Sequence, residues 1–477
     1  MDSEKLDEFH KKFESECCSF PNHRFLGHLM DVDINGKNAH DEITCQISLV
    51  TRNFLKLDLD LLKAYKNHGK HDTISIFHPY FTELVANITV NDYKDIKSKC
   101  NESNWIDLDL FKTACLTYQK SSYGYEGCFI FGASPLKRQH VFFVVGEITD
   151  KTINEKLKNK ETAYNELKMY KKTARDISIL RSFYAAIEDK NKVKGIVHNV
   201  GQANCIELNF ASSDDSCTVM FDVGMSICEE YGTSQYKKGY FIDENWRAIR
   251  KTTPEWILLS HWDIDHILGV CELDNAQYSV YNDAQWIAAD LFQLPFSAIS
   301  LSALRLCVYL LLIGKIALVK ADEDINSLVD SNNTPGSVVR LFTGLGHIGK
   351  SSKNNNIGLC MELSYGHEER THRILLPGDC EYRQFAKNVP KGTKYDFLVA
   401  SHHGSDNSKD CDICAQGTGI AVVCVGNNTY GHPGSGHIRK LHENGFEVHS
   451  VYGWYGISFE MADGKENVDV EFITHYS

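Results

Sequence analysis

Four apolar runs in the second half of the chain stop abruptly on side chains that a strand end does not require. PEWILLS runs into HWDIDH at 261–266, HRILLPGD ends on Asp379, YDFLVASHHGS carries His402 and His403, and AVVCVGN ends on Asn427. Short apolar runs bounded by turn residues read as buried strands. Segments such as IRKLHENG, 438–445, read as helices. Strands alternating with helices imply a layered α/β architecture, in which chemistry collects where strands end.

The organisation upstream is different. A chain of 477 residues accommodates two domains. Residues 1 to about 150 alternate runs such as EITCQISLV and YEGCFIFG with polar loops, which predicts an α+β unit without a catalytic pattern. From Thr152 to Asp189 there is neither Gly nor Pro. Leu167, Tyr170, Ala174, Ile177, Leu180, Tyr184 and Ile187 recur at three- and four-residue steps, predicting one amphipathic helix. The polar EDKNK at 188–192 ends it, so the expected division is a smaller accessory domain, 1–190, and a second domain, 191–477. There GIVHNVGQANCIELNF and CTVMFDVG, joined by ASSDDS, form a hairpin pattern.

Composition narrows the function. With 63 acidic against 50 basic side chains the formal charge is −13, which argues against a general affinity for phosphate backbone. A small cationic groove, or bound metal ions that supply the positive charge, would still suit an anionic substrate. The opening MDSEKLDEFHKKF lacks the apolar core of a secretory signal. The most apolar stretch, 301–319, is broken by Arg305 and Lys315, with nine uncharged residues between them. Spanning a bilayer takes about 20, so a buried helix is expected and no membrane partner. Sixteen scattered cysteines read as reduced thiols of a cytoplasmic protein. Cys411 and Cys414 have no second pair at zinc-finger spacing.

Taken singly, the polar strand ends have ordinary explanations, such as a helix cap, a turn or loop histidines. Together, His261, Asp263, Asp265 and His266, then Asp379, then His402 and His403 form an ordered series of imidazoles and carboxylates. Those are the donors a borderline divalent cation takes, and the cation would offset the repulsion within the acidic cluster.

This series resembles the metallo-β-lactamase fold, whose first loop motif is His-x-His-x-Asp-His. The resemblance implies a four-layer αβ/βα sandwich with metal ligands on loops at one edge. Asp222 in FDVG matches the strand-end aspartate that supports the metal site from behind, Asp379 the metal-bridging carboxylate, and SHHGS the late histidine ligand. The chain is more closely similar to the soluble hydrolase domain of the ComEC family of DNA-uptake competence proteins. Its motifs stand here as VGQAN (200–204), LLPGD (375–379), HHGS (402–405) and YGHP (430–433), from about residue 194 to the C-terminus.

Departures from the family pattern bear on the chemistry. Asp263 replaces the second histidine, a harder oxygen donor that shifts preference from zinc toward manganese. Ala203 and Asn204 replace Gly and Asp, removing one charge. No clear histidine ligand lies between His266 and Asp379; His347, His367 and His372 are candidates, His372 as a structural residue. One or two divalent ions would fit, manganese or zinc foremost, with magnesium or iron as alternatives. Spacing leaves open whether His402 or His403 faces the metal.

The resemblance implies a metal-dependent phosphodiesterase, a nuclease in the first instance, with His261, Asp263, Asp265, His266, Asp379 and one of His402 or His403 as ligands. Asp265 could instead orient the attacking water, and His432 could act as acid or phosphate contact. Asn204, Asp222, Asn355, Asn356 and Ser405 are candidates for substrate contact or for support of the ligands. The alternatives are a cytosolic small-phosphoester or cyclic-nucleotide hydrolase, and a catalytically silent binding protein on the same fold. Nucleic acid or a small phosphodiester is the expected substrate, and the N-terminal domain could recruit a protein partner.

Overall fold

The computed structural model describes residues 23–30, 42–66, 79–112, 125–132, 137–168, 173–226, 240–275, 277–323, 325, 339–346, 353–367, 370–410, 412–426, 432–451, 456–463, 465 and 467–473. The chain divides into two compact units. One comprises residues 1–171 with 292–314, the other 172–291 with 315–477.

The first unit is built on β1 (His23–Leu29), β2 (Glu42–Val50), β3 (Phe81–Thr89), β4 (Trp105–Lys112), β5 (Tyr125–Gly132) and β6 (Lys137–Gly146). They close into an antiparallel barrel in the order β1-β2-β3-β5-β6-β4, which leaves no unpaired edge among these strands. The described helices are, in chain order, α1 (Arg52–Lys66), α2 (Val90–Ser98), α3 (Lys151–Leu167), α4 (Ala174–Ile187), α5 (Tyr240–Ile249), α6 (Ile264–Ile267), α7 (Val270–Leu273), α8 (Leu301–Ile313), α9 (Lys353–Asn356) and α10 (Ser435–Glu443). The apolar stretch forms α8. Ser300 caps it by accepting from the Ala303 N–H, and Gly314 ends it at φ 71°, a left-handed value glycine takes without strain. Residues 301–310 are all buried, as expected of a core helix. The Arg305 that interrupts the apolar run is buried too. Its guanidinium pairs with both Asp58 oxygens at 3.0 Å and donates to Thr82 Oγ1 at 3.0 Å.

Two sequence expectations do not hold. Residues 152–189 do not form one helix: α3 ends at Leu167, and α4 starts afresh behind Thr173, whose hydroxyl and Asp176 form a reciprocal capping box. The boundary falls near 171 and not at 188–192, because Ile179, Leu180, Phe183 and Ile187 of α4 lie in the second unit's main core. Residues 292–314 belong with the first unit although they lie between two strands of the second. No helix among the described residues is long and apolar enough to cross a membrane. The described cysteines are free thiols, buried except for Cys100 and Cys414; Cys411 lies outside the described residues.

The second unit is mixed α/β. Its strands are β7 (Lys192–His198), β8 (Cys205–Ala211), β9 (Ser216–Val223), β10 (Trp256–Leu259), β11 (Gln285–Ala289), β12 (Ile316–Val319), β13 (Val339–Thr343), β14 (Leu359–His367), β15 (Arg370–Leu376), β16 (Lys394–Val399), β17 (Cys414–Val423), β18 (Glu447–Ser450), β19 (Gly456–Ala462) and β20 (Asp469–Ile473). One sheet has the order β12-β11-β10-β9-β8-β7-β19-β20, the other β13-β14-β15-β16-β17-β18. In the first, β9 to β12 run parallel; in the second, β15 to β18 do. Continuously apolar strands such as WILL and IALV fit parallel sheets covered on both faces. Side chains from both sheets, including Val197, Leu258, Leu359 and Phe397, share one core. A second core joins the six-stranded sheet to Leu441 of α10. The expected hairpin is β8–β9; the NVGQAN segment breaks the preceding run and makes β7 a separate strand.

Candidate metal centre

The polar strand ends converge where β9, β10, β15 and β16 finish. Asp222, one residue before the end of β9, is fully buried with φ at 58°, a left-handed conformation few non-glycine residues adopt. Its Oδ1 accepts the Ser260 N–H at 2.7 Å and its Oδ2 the Ser260 hydroxyl at 2.7 Å. The same Oδ2 lies 2.8 Å from His266 Nδ1. A carboxylate only accepts, so His266 carries a proton on Nδ1 and turns Nε2 inward. The Ser260 hydroxyl, having donated to Asp222, accepts from His261 Nδ1 at 3.0 Å, which frees Nε2 of His261 in the same way. Support of this kind behind an imidazole fixes its tautomer and ring orientation for metal binding.

Asp379 arrives from the turn after β15. Gly378 is left-handed at φ 55°, and a Cβ there would meet the Ser260 Cβ at 2.5 Å, so only glycine lets the two turns approach. The Ser401–Gly404 turn packs on this one: the His402 N–H donates to Gly378 O at 3.1 Å and the Ser401 hydroxyl to Cys380 O at 2.7 Å. His402 and His403 are both left-handed, with φ 52° and 51°, a strained pair held by these bonds. His403 donates from Nδ1 to the Cys424 carbonyl at 3.0 Å, leaving Nε2 toward Asp265 at 3.2 Å.

Two groups of donor atoms result, each within 4.8 Å: His261, His266 and Asp379; and Asp265, His266 and His403. His266 Nε2 lies 3.3 Å from Asp379 Oδ1 and 3.9 Å from Asp265 Oδ2, and His261 Nε2 is 3.2 Å from Asp263 Oδ2. Two donors about 2.1 Å from one ion are at most about 4.2 Å apart, so each of these separations suits a shared cation. His261 Nε2, His266 Nε2 and Asp379 Oδ1 are buried without a hydrogen-bond partner. Orphaned polar atoms facing one another are costly unless something positive sits among them. The side chains present therefore fit a divalent metal ion.

The electrostatics agree. Burial disfavours a charged His266, yet Asp379, Asp222 and Asp265 together hold its pKa well above the ordinary imidazole value. Burial would likewise raise Asp379, but His403, His266 and His402 hold it well below the carboxylate range. Asp265 is lowered against burial by His266 and His403, and His403 is raised against burial by Asp379 and Asp265. The carboxylates demand positive charge, a proton or a metal ion, at the inward nitrogens. His402 differs: burial lowers its pKa.

The remaining sequence candidates fall in several places. His402 Nε2 lies 3.7 Å from Asp379 Oδ2 and 3.4 Å from Asn355 Nδ2, outside both donor groups. His432 sits beside His402, ring centroids 5.3 Å apart. Asn204 is buried with both side-chain polar atoms unpartnered, while its carbonyl accepts the Gly224 N–H at 2.7 Å. Asn356 bonds Glu381 in both directions, its Nδ2 to Oε1 and its Oδ1 from the Glu381 N–H. Ser405 bonds away from the donor groups: its hydroxyl accepts from the Asn407 N–H and its carbonyl from His437 Nδ1. His372 bonds Asp396 at 3.0 Å, a structural pair. His347 lies outside the described residues, as does the His367 side chain. Sequence reasoning missed two contributors. Ser260 directly precedes the motif, a position that signals its role; Asn354, which donates to Asp263 Oδ1 at 2.5 Å, is hidden in a run of three asparagines.

No family model matches the chain, and no curated protein matches it. Among solved structures, it is similar to the metallo-beta-lactamase fold protein YhfI from Bacillus subtilis, with a TM-score of 0.30 and 13% identity over 57% of this chain and 100% of that one. A likeness of that order fixes no activity, so the functional reading stands on the geometry of the centre itself.

Proposed function

We propose that the second unit is a metal-dependent hydrolase on a four-layer metallo-β-lactamase sandwich, and that its substrate is a phosphodiester, in the first instance nucleic acid. The observation that carries the metal reading is the set of buried, unpartnered His261 Nε2, His266 Nε2 and Asp379 Oδ1. Two sheets with a common core, and an outer core beneath α10, support the sandwich. The motif series from VGQAN to YGHP supports the ComEC-like substrate class.

His261, Asp263 and Asp379 would hold one ion and Asp265, His266 and His403 a second, Asp379 Oδ2 lying 3.9 Å from His261 Nε2 and 3.7 Å from His403 Nε2. A bound divalent ion supplies the Lewis acidity that lowers the pKa of water from 15.7 to about 7. The Asp265 oxygen not on the ion would accept a hydrogen bond from the attacking water and orient it. His432 and Asn355, both beside His402, present N–H donors to the phosphoryl oxygens. With a net charge of −13, attraction for an anionic substrate comes from the loaded centre, not from a basic surface. Manganese or zinc fills the site in this reading, in a cytoplasmic protein whose first unit selects substrate or partner.

The test combines metal analysis of the purified full chain with assays on single- and double-stranded DNA and RNA, and on cyclic nucleotides, with manganese, zinc, magnesium or iron. Cleavage of nucleic acid supports the proposal. Cleavage of cyclic nucleotides alone replaces the substrate class, and tight metal binding without any turnover makes the protein a silent binding module.

A further inference from the structure

We propose that Asn354 is a positioning residue that makes Asp263 a fixed, single-oxygen donor of the metal centre and thereby sets its preference for an oxygen-seeking ion. This rests on the reading above in one respect, that Asp263 is a ligand.

Most of the other donors are buried and held from behind. Ser260 holds His261, Asp222 holds His266, the Cys424 carbonyl holds His403, and Asp379 is 3% exposed. Asp263 differs, with 40% of its side chain exposed on the loop before α6. Left to itself, such a carboxylate would rotate and offer either oxygen, and fixing it on an ion would cost side-chain entropy. Asn354 removes that freedom. Its Nδ2 donates to Asp263 Oδ1 at 2.5 Å.

The asparagine is itself locked. It is 2% exposed, and its Oδ1 accepts the Trp262 N–H at 3.5 Å, so the amide turns its NH₂ and not its oxygen to Asp263. Trp262 is anchored in turn by its indole N–H, which donates to Ala289 O at 2.7 Å. With Oδ1 occupied, Asp263 Oδ2 is the oxygen left facing the centre, 3.2 Å from the orphaned His261 Nε2. Two lone pairs held at that separation repel unless a cation lies between them. Asn355 and Asn356 are engaged elsewhere, with His402 and Glu381, so neither stands in for Asn354. A carboxylate oxygen in this position suits manganese or magnesium better than a nitrogen donor would.

The experiment measures manganese and zinc binding to the metal-free full chain by calorimetry, with the paramagnetic resonance spectrum of bound manganese as a second readout. Asn354→Ala and the near-isosteric Asn354→Asp should weaken manganese binding about 10–100-fold and change the spectrum, with a smaller effect on zinc. In an Asp263→His background, where no carboxylate needs steering, Asn354→Ala should add no further loss beyond about twofold. Melting in chelator reads the cost to the fold separately. If Asn354→Ala and Asn354→Asp bind manganese like the parent while Asp263→Ala does not, the positioning role is wrong and the metal reading stands. If Asp263→Ala also binds like the parent, Asp263 is no ligand and the positioning role falls with it, while the metal centre stands on the remaining donors. A loss, in metal binding or in folding, of equal size with His or Asp at 263 makes Asn354 merely structural and overturns the inference.

Discussion

His266 gives its Nδ1 proton to Asp222 Oδ2 across 2.8 Å, and neither side chain has exposed surface. This one bond decides which nitrogen of His266 faces Asp379 and Asp265. Asp222→Asn preserves the shape and suits the left-handed backbone, but its NH₂ replaces one accepting oxygen. At least one of the Ser260 N–H, the Ser260 hydroxyl and His266 Nδ1 then loses its acceptor. Metal affinity should fall about 10–100-fold, and stability by about 1–3 kcal/mol for the unpaired buried donor. Calorimetric titration and chelator melts of the variant check both.

Asp379 reaches both donor groups, 3.9 Å from His261 Nε2 and 3.7 Å from His403 Nε2. Asp379→Ala should therefore abolish the metal-dependent rise in melting temperature as well as turnover. For the parent, stripping an ion present at 100 times its dissociation constant should remove about 2.7 kcal/mol of stability. Identical melting curves with and without manganese, zinc, magnesium or iron would rule out the metal centre. His432→Ala, by contrast, should leave metal content intact and slow hydrolysis by about 10²–10³-fold, the loss of one donor to the phosphoryl oxygens.

In the first unit, one carboxylate faces two buried cations. Burial opposes ionisation of Asp58, but Arg305 and Lys160 prevail and lower it to about 2. Lys160 is lowered to about 8, because burial and the nearby Arg305 outweigh its attraction to Asp58. The signs separate by pH. The Asp58 contribution is fully present above the ordinary carboxylate value of 3.8 and is lost as pH falls toward about 2. Lys160 binds its proton less readily when folded, so stability should climb as pH rises from about 8 toward 10.5, by on the order of 3 kcal/mol. Lys160→Met should be neutral or stabilising near neutral pH, whereas Asp58→Ala, which strands both cations, should cost about 3–5 kcal/mol. Urea titrations of the parent and both variants, from acid to alkaline pH, check the order.

A fragment beginning at Lys192 should be insoluble. It lacks Ile179, Leu180, Phe183 and Ile187, whose burial contributes about 1.5–3 kcal/mol each. A fragment beginning at 172, with 292–314 replaced by a short flexible linker, should fold and keep its response to metal. Solubility and metal-dependent melting of the two fragments check this; a well-folded 192–477 would mean that α4 is dispensable.

What could be read from the chain alone was local and periodic. Strand runs such as WILL showed in their apolar length, and the polar groups that follow them in simple adjacency, so His261, Asp265, His266, Asp379 and the His402–His403 pair stood out from the sequence. The burial of 301–310 followed in the same way, because an apolar run too short for a bilayer has only a core to enter. Which core it enters was not legible: Asp58, the partner of Arg305, lies 247 residues away, and nothing local to the helix names it. The choice between His402 and His403, and among Asn354, Asn355 and Asn356, was also left to the tertiary structure. Neighbouring identical residues differ only in where the backbone points them, and that direction is set by distant packing, by the Cys424 carbonyl behind His403 and the Trp262 N–H beside Asn354.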